Sequence, residues 1–325
     1  RMSAQSDTPF RGARAAWLWR LFGDGRVVLL IALAVFVLLT IVWPLFQGVL
    51  RSFMVGGAFS LANYEAVFLR PRNFVAVWNS LWVSVIATAI SVAIGTLGAF
   101  LVMRTDIPWK AGFSLALVLP FAIPPLFAAM GWVQLAGPVG LFAQGWRAMF
   151  GPGPVPWNIY SAWGIIFVLG VSNYPLVFLT VAGALQRVDP TLEEAARTAG
   201  VGTGRIMRDI TLPLVRPAIY GGALLAFVSS IDNFGIPAVL GMRAQFYVLT
   251  TRIYEALTVP NMPLATAMSV LLVGVALIAM AGFRRAEGGR SQYAVIGGKS
   301  TTPGIIRLGR AKPLVVAALV LTVLV

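Results

Sequence analysis

The sequence predicts an all-α polytopic membrane protein, and three observations support this fold class. Of the 325 residues, 58% are hydrophobic and only 11% are charged, and the mean hydropathy is +0.84. Soluble proteins are about 45–50% apolar and about 25% charged, so a soluble fold of this composition would expose large apolar patches to water. Six apolar runs are each long enough to cross about 30 Å of hydrocarbon as a helix, and Trp and Tyr lie near several of their ends.

The first apolar run covers residues 27–50 and follows a basic tail, residues 1–26. A secretory signal would have a shorter apolar core and a small-residue cleavage site, so we interpret this run as a retained signal-anchor helix. Residues 27–283 are expected to form one six-span domain. Its other five spans are predicted at 78–103, 111–135, 162–185, 218–240 and 264–283.

The distribution of Lys and Arg predicts the orientation of these spans. If the N-terminus is cytoplasmic and the spans alternate, 19 of the 25 basic residues lie in cytoplasmic segments and 6 in outer segments. Membrane proteins retain their basic residues on the cytoplasmic side. The sequence therefore predicts a multi-pass protein with a cytoplasmic N-terminus, in contact with membrane lipid. The same bias accounts for the net charge of +14 without a nucleic-acid partner.

The chain contains no Cys and no His. This composition excludes disulfides, thiolate and imidazole metal sites, Cys nucleophiles and histidine acid–base chemistry. No set of carboxylates forms a metal site, so we predict none. A membrane enzyme would need a cluster of acid, base or nucleophile on one face, and no such cluster is visible in the sequence.

Proline and glycine interrupt the spans and loops. Pro120, Pro124 and Pro125 lie inside the third span, where Pro removes a backbone hydrogen bond and kinks the helix. Lipid-facing backbone does not tolerate this unless neighbouring helices or water supply partners. We therefore expect this span to face the bundle or a cavity, either as a plain structural kink or as part of a transport pathway. The outer segment 136–161 is expected to be irregular, and SLANYEAVF (residues 60–68) to form a short interfacial helix.

The C-terminal part consists of a basic, Gly-containing stretch, residues 284–312, and an apolar run, residues 313–325. We expect the first to be a cytoplasmic linker. Thirteen helical residues reach only about 20 Å, which is less than the bilayer thickness. We interpret the run as the truncated start of a seventh transmembrane helix, and a re-entrant or interfacial tail is the alternative.

The predicted cytoplasmic loop between the fourth and fifth spans is expected to form two short helices outside the membrane. Asp189 followed by Pro190 is typical of an N-cap with Pro at the first helical position. Glu193 and Glu194 fall in the first turns, where the helix dipole favours negative charge. The helix-forming run then ends at Gly200, because glycine adopts the left-handed conformation that caps a helix.

The second short helix is expected to have Thr203 as its cap and to end before Pro213. Small side chains leave the first helix with a low-relief face, and three arginines offer charges for pairing with a partner. These residues are Ala195, Ala196, Ala199, Arg197, Arg205 and Arg208.

At these residues the loop resembles the EAA loop of binding-protein-dependent ABC transporter permeases. The family pattern is Glu-Ala-Ala, three residues, Gly, nine residues, Ile, one residue and Leu-Pro. This chain fits it at every position, with Glu194-Ala195-Ala196, Gly200, Ile210 and Leu212-Pro213. The resemblance implies a six-helix type I ABC importer permease bundle with a cytoplasmic coupling-helix loop, to which residues 313–325 would add the start of a seventh span. An amphipathic helix on the bilayer surface is the alternative for this loop.

The resemblance also implies that the first short helix docks on an ABC ATPase dimer at the cytoplasmic face. The chain has no Gly-Lys-Ser/Thr phosphate-binding loop, so it is expected to be a transport subunit and not an enzyme. It is expected to bind no cofactor, and ATP-Mg is expected on the partner ATPase. The residues assigned to coupling are Asp189, Glu193, Glu194, Ala195, Ala196, Arg197, Gly200, Ile210, Leu212 and Pro213.

Other stretches are similar to the same family. Asn79-Ser80-Leu81 resembles the start of the permease core, and IPPLFAAMGWVQLAGPVGLF, NIYSAWGIIFVLGVSNYP and DNFGIPAVLG resemble its ferric-iron branch. The resemblance implies a bacterial inner-membrane location, a periplasmic substrate-binding protein and a second permease half fused C-terminally. Ferric iron is the expected cargo. Relatives carry thiamine, polyamines, phosphonates or sulfate on similar scaffolds, and fold does not fix substrate.

Asp232 is the acidic residue that falls inside a predicted span, and an ionisable group at that depth is a candidate for function. With Asn233 it is expected to line a translocation cavity or gate. The alternative is an Asp that caps a helix break and pairs with Arg243 or Arg252. Weaker candidates for the same cavity are Asn173, Tyr174 and Gln134. An ion-coupled secondary transporter is a more remote alternative, because it would need ionisable groups at mid-membrane.

Overall fold

The computed structural model describes residues 25–259, 261–287, 305–306 and 308–324, and this part of the chain is almost entirely helical. Its helices confirm the predicted all-α membrane fold. Most of the predicted basic tail, residues 288–304 of the predicted linker and Val325 lie outside the described residues.

The first part of the chain comprises α1 (Gly25–Val37), a π turn (Leu38–Val42), α2 (Trp43–Ser52), β1 (Met54–Val55), β2 (Ala58–Phe59), α3 (Ala62–Leu69), α4 (Pro71–Arg104), α5 (Lys110–Val118), a 3-10 turn (Leu119–Ala122), α6 (Pro125–Ala136), α7 (Leu141–Phe150) and α8 (Ala162–Arg187). The second part comprises α9 (Pro190–Thr198), α10 (Thr203–Ile206), a π turn (Met207–Thr211), α11 (Leu212–Ile231), α12 (Gly235–Leu240), α13 (Leu249–Thr258), α14 (Met262–Glu287), a 3-10 turn (Gly309–Ala311) and α15 (Lys312–Leu324).

Within the part of the chain that the structure describes, six helical stretches are long and apolar enough to cross a membrane by length and composition. The bundle has two ends. The segment 189–213 lies at the end where α4 and α8 finish, and we call this end the loop end. We call the other end of the bundle the opposite end. The short helix predicted within residues 60–68 is present as α3, near the opposite end, and its interfacial position stays a prediction.

The core of the bundle is built on α4, α8 and α11, which touch through glycines. A Cβ on Gly95 would lie 2.6 Å from the carbonyl oxygen of Tyr174, and one on Gly170 would lie 2.7 Å from Cγ2 of Ile90. A Cβ on Gly222 would lie 2.9 Å from Cα of Val177. Transmembrane helices associate by such close backbone approach, because lipid supplies no hydrophobic drive between them.

The second span is longer than predicted, since α4 begins at Pro71 and not at residue 78. Pro at the first helical position favours this earlier start, because its missing N–H is not needed there. Asn79 and Ser80 therefore lie two turns inside the helix. Asn79 Nδ2 donates to the carbonyl of Tyr247 at 2.9 Å, and Ser80 Oγ accepts from the amide of Leu249 at 2.6 Å. These residues fix the start of α13 against α4.

The third span is broken, and not merely kinked as one helix over 111–135. After α5 and the 3-10 turn, Ile123 is extended (ψ 120°), and so is Pro124 (ψ 140°), before α6 begins at Pro125. A residue that precedes proline is driven out of the helical region, and two consecutive prolines make the break complete. Trp157 Nε1 donates to the carbonyl of Ala136 at 3.0 Å and so holds the end of α6 beside the segment that leads into α8.

The outer segment 136–161 is not irregular throughout, and that prediction was wrong. It contains α7, which is flanked by Gly140 and by Gly151 in a left-handed conformation (φ +89°). Arg147 on α7 donates to the carbonyls of Pro138 at 2.9 Å and Gly153 at 3.1 Å. The glycines and prolines thus mark the ends of the helix, and the ten residues between them are compatible with it.

The fifth span also differs from the prediction of a single helix over 218–240. It begins at Leu212, ends at Ile231 and resumes as α12 after a break at residues 232–234. The last described segment returns to the loop end. There Ile306 pairs with Thr105 in a parallel bridge, and α15 packs against α5 and α4. The assignment of residues 313–325 to a seventh span stays a prediction.

Candidate functional site

The first short helix of the segment 189–213 forms as its capping residues predict. The carboxylate of Asp189 accepts from the amide of Thr191 at 2.9 Å and from its hydroxyl at 2.8 Å, and Pro190 occupies the first helical turn. These hydrogen bonds, first from the backbone and then from the side chain of Thr191, lower the pKa of Asp189 below its ordinary value. The cap is therefore charged at neutral pH and lies where the helix dipole favours an anion.

Gly200 ends this helix in a Schellman motif. Gly200 is left-handed (φ +78°), its amide donates to the carbonyl of Arg197 at 2.9 Å, and the amide of Val201 donates to the carbonyl of Ala196 at 3.0 Å. This pattern satisfies carbonyls that the helix itself leaves free. The predicted glycine corner is confirmed.

The second short helix does not end before Pro213, and Thr203 is not its cap. Gly202 occupies the cap position without a side-chain bond, and α10 runs through the π turn directly into α11. In that turn the amide of Leu212 donates to the carbonyl of Met207, five residues earlier. The wider turn accommodates Pro213, which offers no amide and would clash in a regular α-helix.

Glu193 lies against the bundle and joins α9 to two other parts of the chain. Its carboxylate faces the guanidinium of Arg104 in a forked pair, with Nη2–Oε1 at 3.2 Å and Nη1–Oε2 at 3.4 Å. Thr211 Oγ1 donates to Oε1 at 2.8 Å. Arg104 and Thr211 are each 2% exposed and Glu193 is 4% exposed. The sequence alone did not identify Arg104 or Thr211 as part of this site. The one available signal was a basic residue, Arg104, at the end of a long apolar run.

The other predicted coupling residues differ in exposure. Asp189, Ala196, Ile210 and Leu212 are partly buried, whereas the remaining ones are open to solvent. The exposed residues are Glu194, Ala195, Arg197, Gly200 and Pro213. Among the described residues, the segment therefore has an inner side that is held by Glu193 and also carries Arg197 beside Arg104, and an exposed side at Glu194 and Ala195.

A second feature is a cleft where the two broken helices meet. Pro124, Pro125 and Leu126 line one side, and Ser229 and residues 232–235 line the other, around a cavity of about 370 Å³. A Cβ on Gly235 would lie 2.8 Å from the amide nitrogen of Leu126, so the two breaks touch directly. Glycine permits this close approach of two backbones.

Asp232 lies exposed at this cleft, and Asn233 lies buried beside it. Asn233 Oδ1 accepts from the amide of Ile236 at 3.0 Å and so caps α12. The alternative in which Asp232 pairs with Arg243 or Arg252 is wrong in this structure. Arg252 binds Asn73 and Glu255, and Arg243 binds the hydroxyl of Tyr160.

The weaker cavity candidates are not brought together at the cleft. Asn173 lies one layer behind it, where Nδ2 donates to Ser230 Oγ and Oδ1 accepts from Ser229 Oγ, both at 2.9 Å. Tyr174 is buried in the core at 1% exposure, and Gln134 is exposed but does not line the cleft. Within the described ranges, no group of three or more His, Cys, Asp and Glu residues could hold a metal ion.

The comparison with known families matches residues 91–287, more than half of the chain, to the binding-protein-dependent transport system inner membrane component. The chain belongs to this family. It is therefore an inner-membrane permease component of an ABC transporter.

The permease has relatives with several different names. It is 31% identical over 221 residues to the molybdenum transport system permease protein ModB of Escherichia coli, covering 66% of this chain and 93% of ModB. It is 27% identical over 286 residues to the ferric transport system permease protein FbpB of Actinobacillus pleuropneumoniae, covering 86% of this chain. The chain spans only 40% of that FbpB and 42 to 44% of other long relatives.

Solved structures support the fold of the permease. A bacterial ABC transporter that imports the acidic polysaccharide alginate matches with a TM-score of 0.71 at 16% identity, covering 86% of this chain and 98% of that one. A bacterial alginate ABC transporter in complex with an alginate pentasaccharide-bound periplasmic protein matches with a TM-score of 0.69 at 18% identity, covering 87% and 99%. These likenesses establish the architecture of the bundle.

Proposed function

We propose that this permease passes substrate from a periplasmic binding protein to the cytoplasm and is driven by a separate ABC ATPase dimer through residues 189–213, the EAA loop. One observation carries the proposal. The helix α9 is anchored on its inner side by Glu193, while Glu194 and Ala195 are exposed and the Glu194 carboxylate has no hydrogen-bond or salt-bridge partner among the residues that the structure describes. An anchored helix with a free face suits docking to a motor protein.

The energy source in this proposal is ATP-Mg bound by the partner. The chain carries no Gly-Lys-Ser/Thr loop with which to bind nucleotide phosphates itself. Family membership agrees with this division of labour, because the relatives are named as permease proteins of transport systems.

The orientation in this proposal places the EAA loop and the N-terminus in the cytoplasm. It rests on the bias of 19 basic residues against 6, and on the retention of positive charge inside. The opposite end, with α3 and α7, then faces the periplasm and receives the binding protein. The solved alginate transporter complex contains a periplasmic protein, which agrees with such a partner.

The proposed cargo is ferric iron. The long relatives named as ferric transport permeases and the similar sequence segments support it, whereas ModB and the galactooligosaccharide permease GanP show that the scaffold serves other cargoes. Thiamine, polyamine, phosphonate and sulfate are the alternatives. We assign the choice of cargo to the binding protein, with the permease as a weakly binding, hydrated passage.

The proposal also includes a second permease half, fused C-terminally. Support comes from the relatives of which this chain covers only 40 to 44%. A fused partner would complete the two-half architecture without a separate chain.

Single-cysteine crosslinking tests this function, since these 325 residues contain no cysteine that would compete with the introduced one. Ala195→Cys, on the exposed side of α9, is expected to crosslink to the ATPase in membranes. Met149→Cys, on exposed α7, is the matched control and should not. Labelling of Ala195→Cys by a membrane-impermeant maleimide from the periplasmic side, or no crosslink to any ATPase, would contradict the proposal.

Uptake into proteoliposomes tests the cargo. The permease, reconstituted with its ATPase and binding protein, should accumulate radiolabelled ferric iron in an ATP-dependent manner. Molybdate, sulfate, phosphonate, thiamine and spermidine serve as competitors. ATP-dependent uptake of one of these, with no uptake of iron, would retain the transporter and reject iron.

A further inference from the structure

The guanidinium of Arg104 lies at the junction of the elements that carry the EAA loop. Arg104 is the last residue of α4, and its Nη2 donates to the carbonyl of Leu185 in the last turn of α8 at 3.3 Å. Its fork binds Glu193 of α9, and Glu193 binds Thr211 at the start of α11. One buried cluster thus connects α9 with the loop ends of α4, α8 and α11.

The chemistry of this cluster makes the connection stiff. Forked Arg–carboxylate pairs are charge-assisted and fix geometry as well as distance. Both partners are almost completely buried, so the charges are poorly screened by salt and water. Removal of one partner would leave a buried, unpaired charge, which is strongly unfavourable. The loop therefore cannot shift relative to the three spans without breaking this cluster or moving them with it.

The three spans joined here also form the core of the bundle. Gly95, Gly170 and Gly222 bring α4, α8 and α11 into backbone contact. A displacement that enters at Arg104 is therefore passed to closely packed helices that have little free volume to absorb it. By contrast, α9 has no comparable buried ionic contact on its outer face among the described residues.

We propose that Arg104, Glu193 and Thr211 form the joint that transmits movement of the EAA loop to the membrane spans. This inference rests on the proposed coupling function. Arg104 and Glu193 are positioning residues in it: they touch neither nucleotide nor cargo and act by holding α9 to the spans. A cluster that only stabilised the fold would affect the amount of folded protein and not the ratio of uptake to ATP hydrolysis.

The test uses the full complex with ATPase and binding protein in proteoliposomes, and it compares Arg104→Gln, Glu193→Gln and the double variant. Uptake per ATP hydrolysed is the main readout. The crosslink from Ala195→Cys to the ATPase, introduced into each variant, reports whether α9 still docks. Arg187→Gln is the matched control, because Arg187 is an exposed arginine near the same end of the bundle and forms no salt bridge with any residue that the structure describes.

Each single variant is expected to retain the crosslink and ATP hydrolysis while uptake per ATP falls by about tenfold or more, the scale of a typical coupling energy. The double variant should be no worse than the worse single one, since both changes break one joint. The double variant also leaves no unpaired buried charge. It is therefore the variant to compare with the control if Arg104→Gln does not insert into the membrane.

Two results would overturn the inference. One is a double variant that inserts and couples as well as Arg187→Gln. The other is loss of the Ala195→Cys crosslink together with uptake, which would make the cluster part of the docking site. Absence of that crosslink in the otherwise unchanged protein would instead reject the coupling function itself, so the two failures are distinguishable.

Discussion

Glu193 and Glu194 are consecutive residues of α9, yet one is buried against Arg104 and the other is exposed to solvent. Two carboxylates with the same sequence environment thus have opposite surroundings. The first belongs to the interior of the permease. The second is available to a partner.

Glu194→Lys is therefore expected to uncouple transport while membrane insertion stays normal. The substitution reverses a charge on the exposed side of α9 and leaves the buried cluster intact. Uptake and ATPase stimulation by the loaded binding protein should both be lost, as measured in proteoliposomes. Arg187→Glu, which reverses an exposed charge at the end of α8 outside the segment 189–213, is the control and should transport normally. Normal uptake by Glu194→Lys would contradict the assignment of this face.

Gly200→Ala should weaken the corner between α9 and α10. A left-handed conformation costs an ordinary L-residue about 1–2 kcal/mol, and Gly200 holds φ +78°. Gly200→Asn should be milder, because Asn adopts this conformation more readily. Gly202→Ala is the control, since Gly202 has an ordinary backbone (φ −69°) and open space around it. Faster amide hydrogen exchange in residues 196–201 is the measurement, and equal rates in the Gly200→Ala and Gly202→Ala variants would refute the prediction.

Gly95→Ala should destabilise the bundle. The added methyl group would enter the backbone of α8 at 2.6 Å from the carbonyl oxygen of Tyr174. Overpacking of this kind costs about 1–3 kcal/mol. Gly183→Ala on α8 is the matched control because nothing lies within 4 Å of its Cβ position. The midpoint of thermal unfolding in detergent should fall for the first variant only.

The contact between Asp106 and the segment 305–312 should be lost in acid. The amide of Leu308 donates to Oδ1 at 2.9 Å and Lys312 Nζ lies 3.3 Å from Oδ2. The backbone hydrogen bond from Leu308, followed by the side chain of Lys312, lowers the pKa of Asp106 below its ordinary value of 3.8.

A group whose pKa is lowered by folding contributes stability that is present above its unfolded pKa and is lost as the pH falls through the folded value. Docking of the segment should therefore be full above about pH 4 and should weaken below it. Hydrogen exchange of the Leu308 amide after incubation at each pH reports this. In Asp106→Asn the exchange should be fast at all pH values, and an unchanged acid profile in that variant would reject Asp106 as the titrating group.

Cysteine accessibility tests the cleft as part of the translocation pathway. Asp232→Cys should react rapidly with a small hydrophilic maleimide, because Asp232 is exposed at the cleft. Tyr174→Cys should not react, since that position is buried in the core. Addition of the loaded binding protein and ATP should slow labelling of Asp232→Cys if cargo passes there. Equal labelling of both positions would show that the cleft is not a defined water-filled site.

The parts of the loop that the sequence predicts are those with local causes. The Asp189 cap and the Gly200 corner depend on neighbours within a few residues, so capping rules suffice to find them. The partner of Glu193 lies 89 residues away in Arg104, and no periodicity relates these positions. Charge pairing between elements depends on how the spans pack, and composition does not report that packing.

The broken spans show the same limit. Pro124 and Pro125 predict a kink, because proline removes a backbone hydrogen bond, and the alternative of a helix break at Asp232 predicts the second interruption. The contact between the two interruptions at Leu126 depends on the tertiary packing of the helices, which the sequence does not report. The helix α7 was not predicted, because the glycines and prolines at its ends led us to expect irregular structure throughout residues 136–161.

The unbroken run of helix from Thr203 to Ile231 has a mechanical consequence. Its 29 residues make a rod about 43 Å long, with one tip in the EAA loop and the other at the rim of the cleft. A rod that tilts about its centre swings its tips in opposite directions. A push delivered at Thr203 would in this way change the width of the opening beside Asp232, and the π turn at Met207–Thr211 and Pro217 are the points where the helix would bend instead.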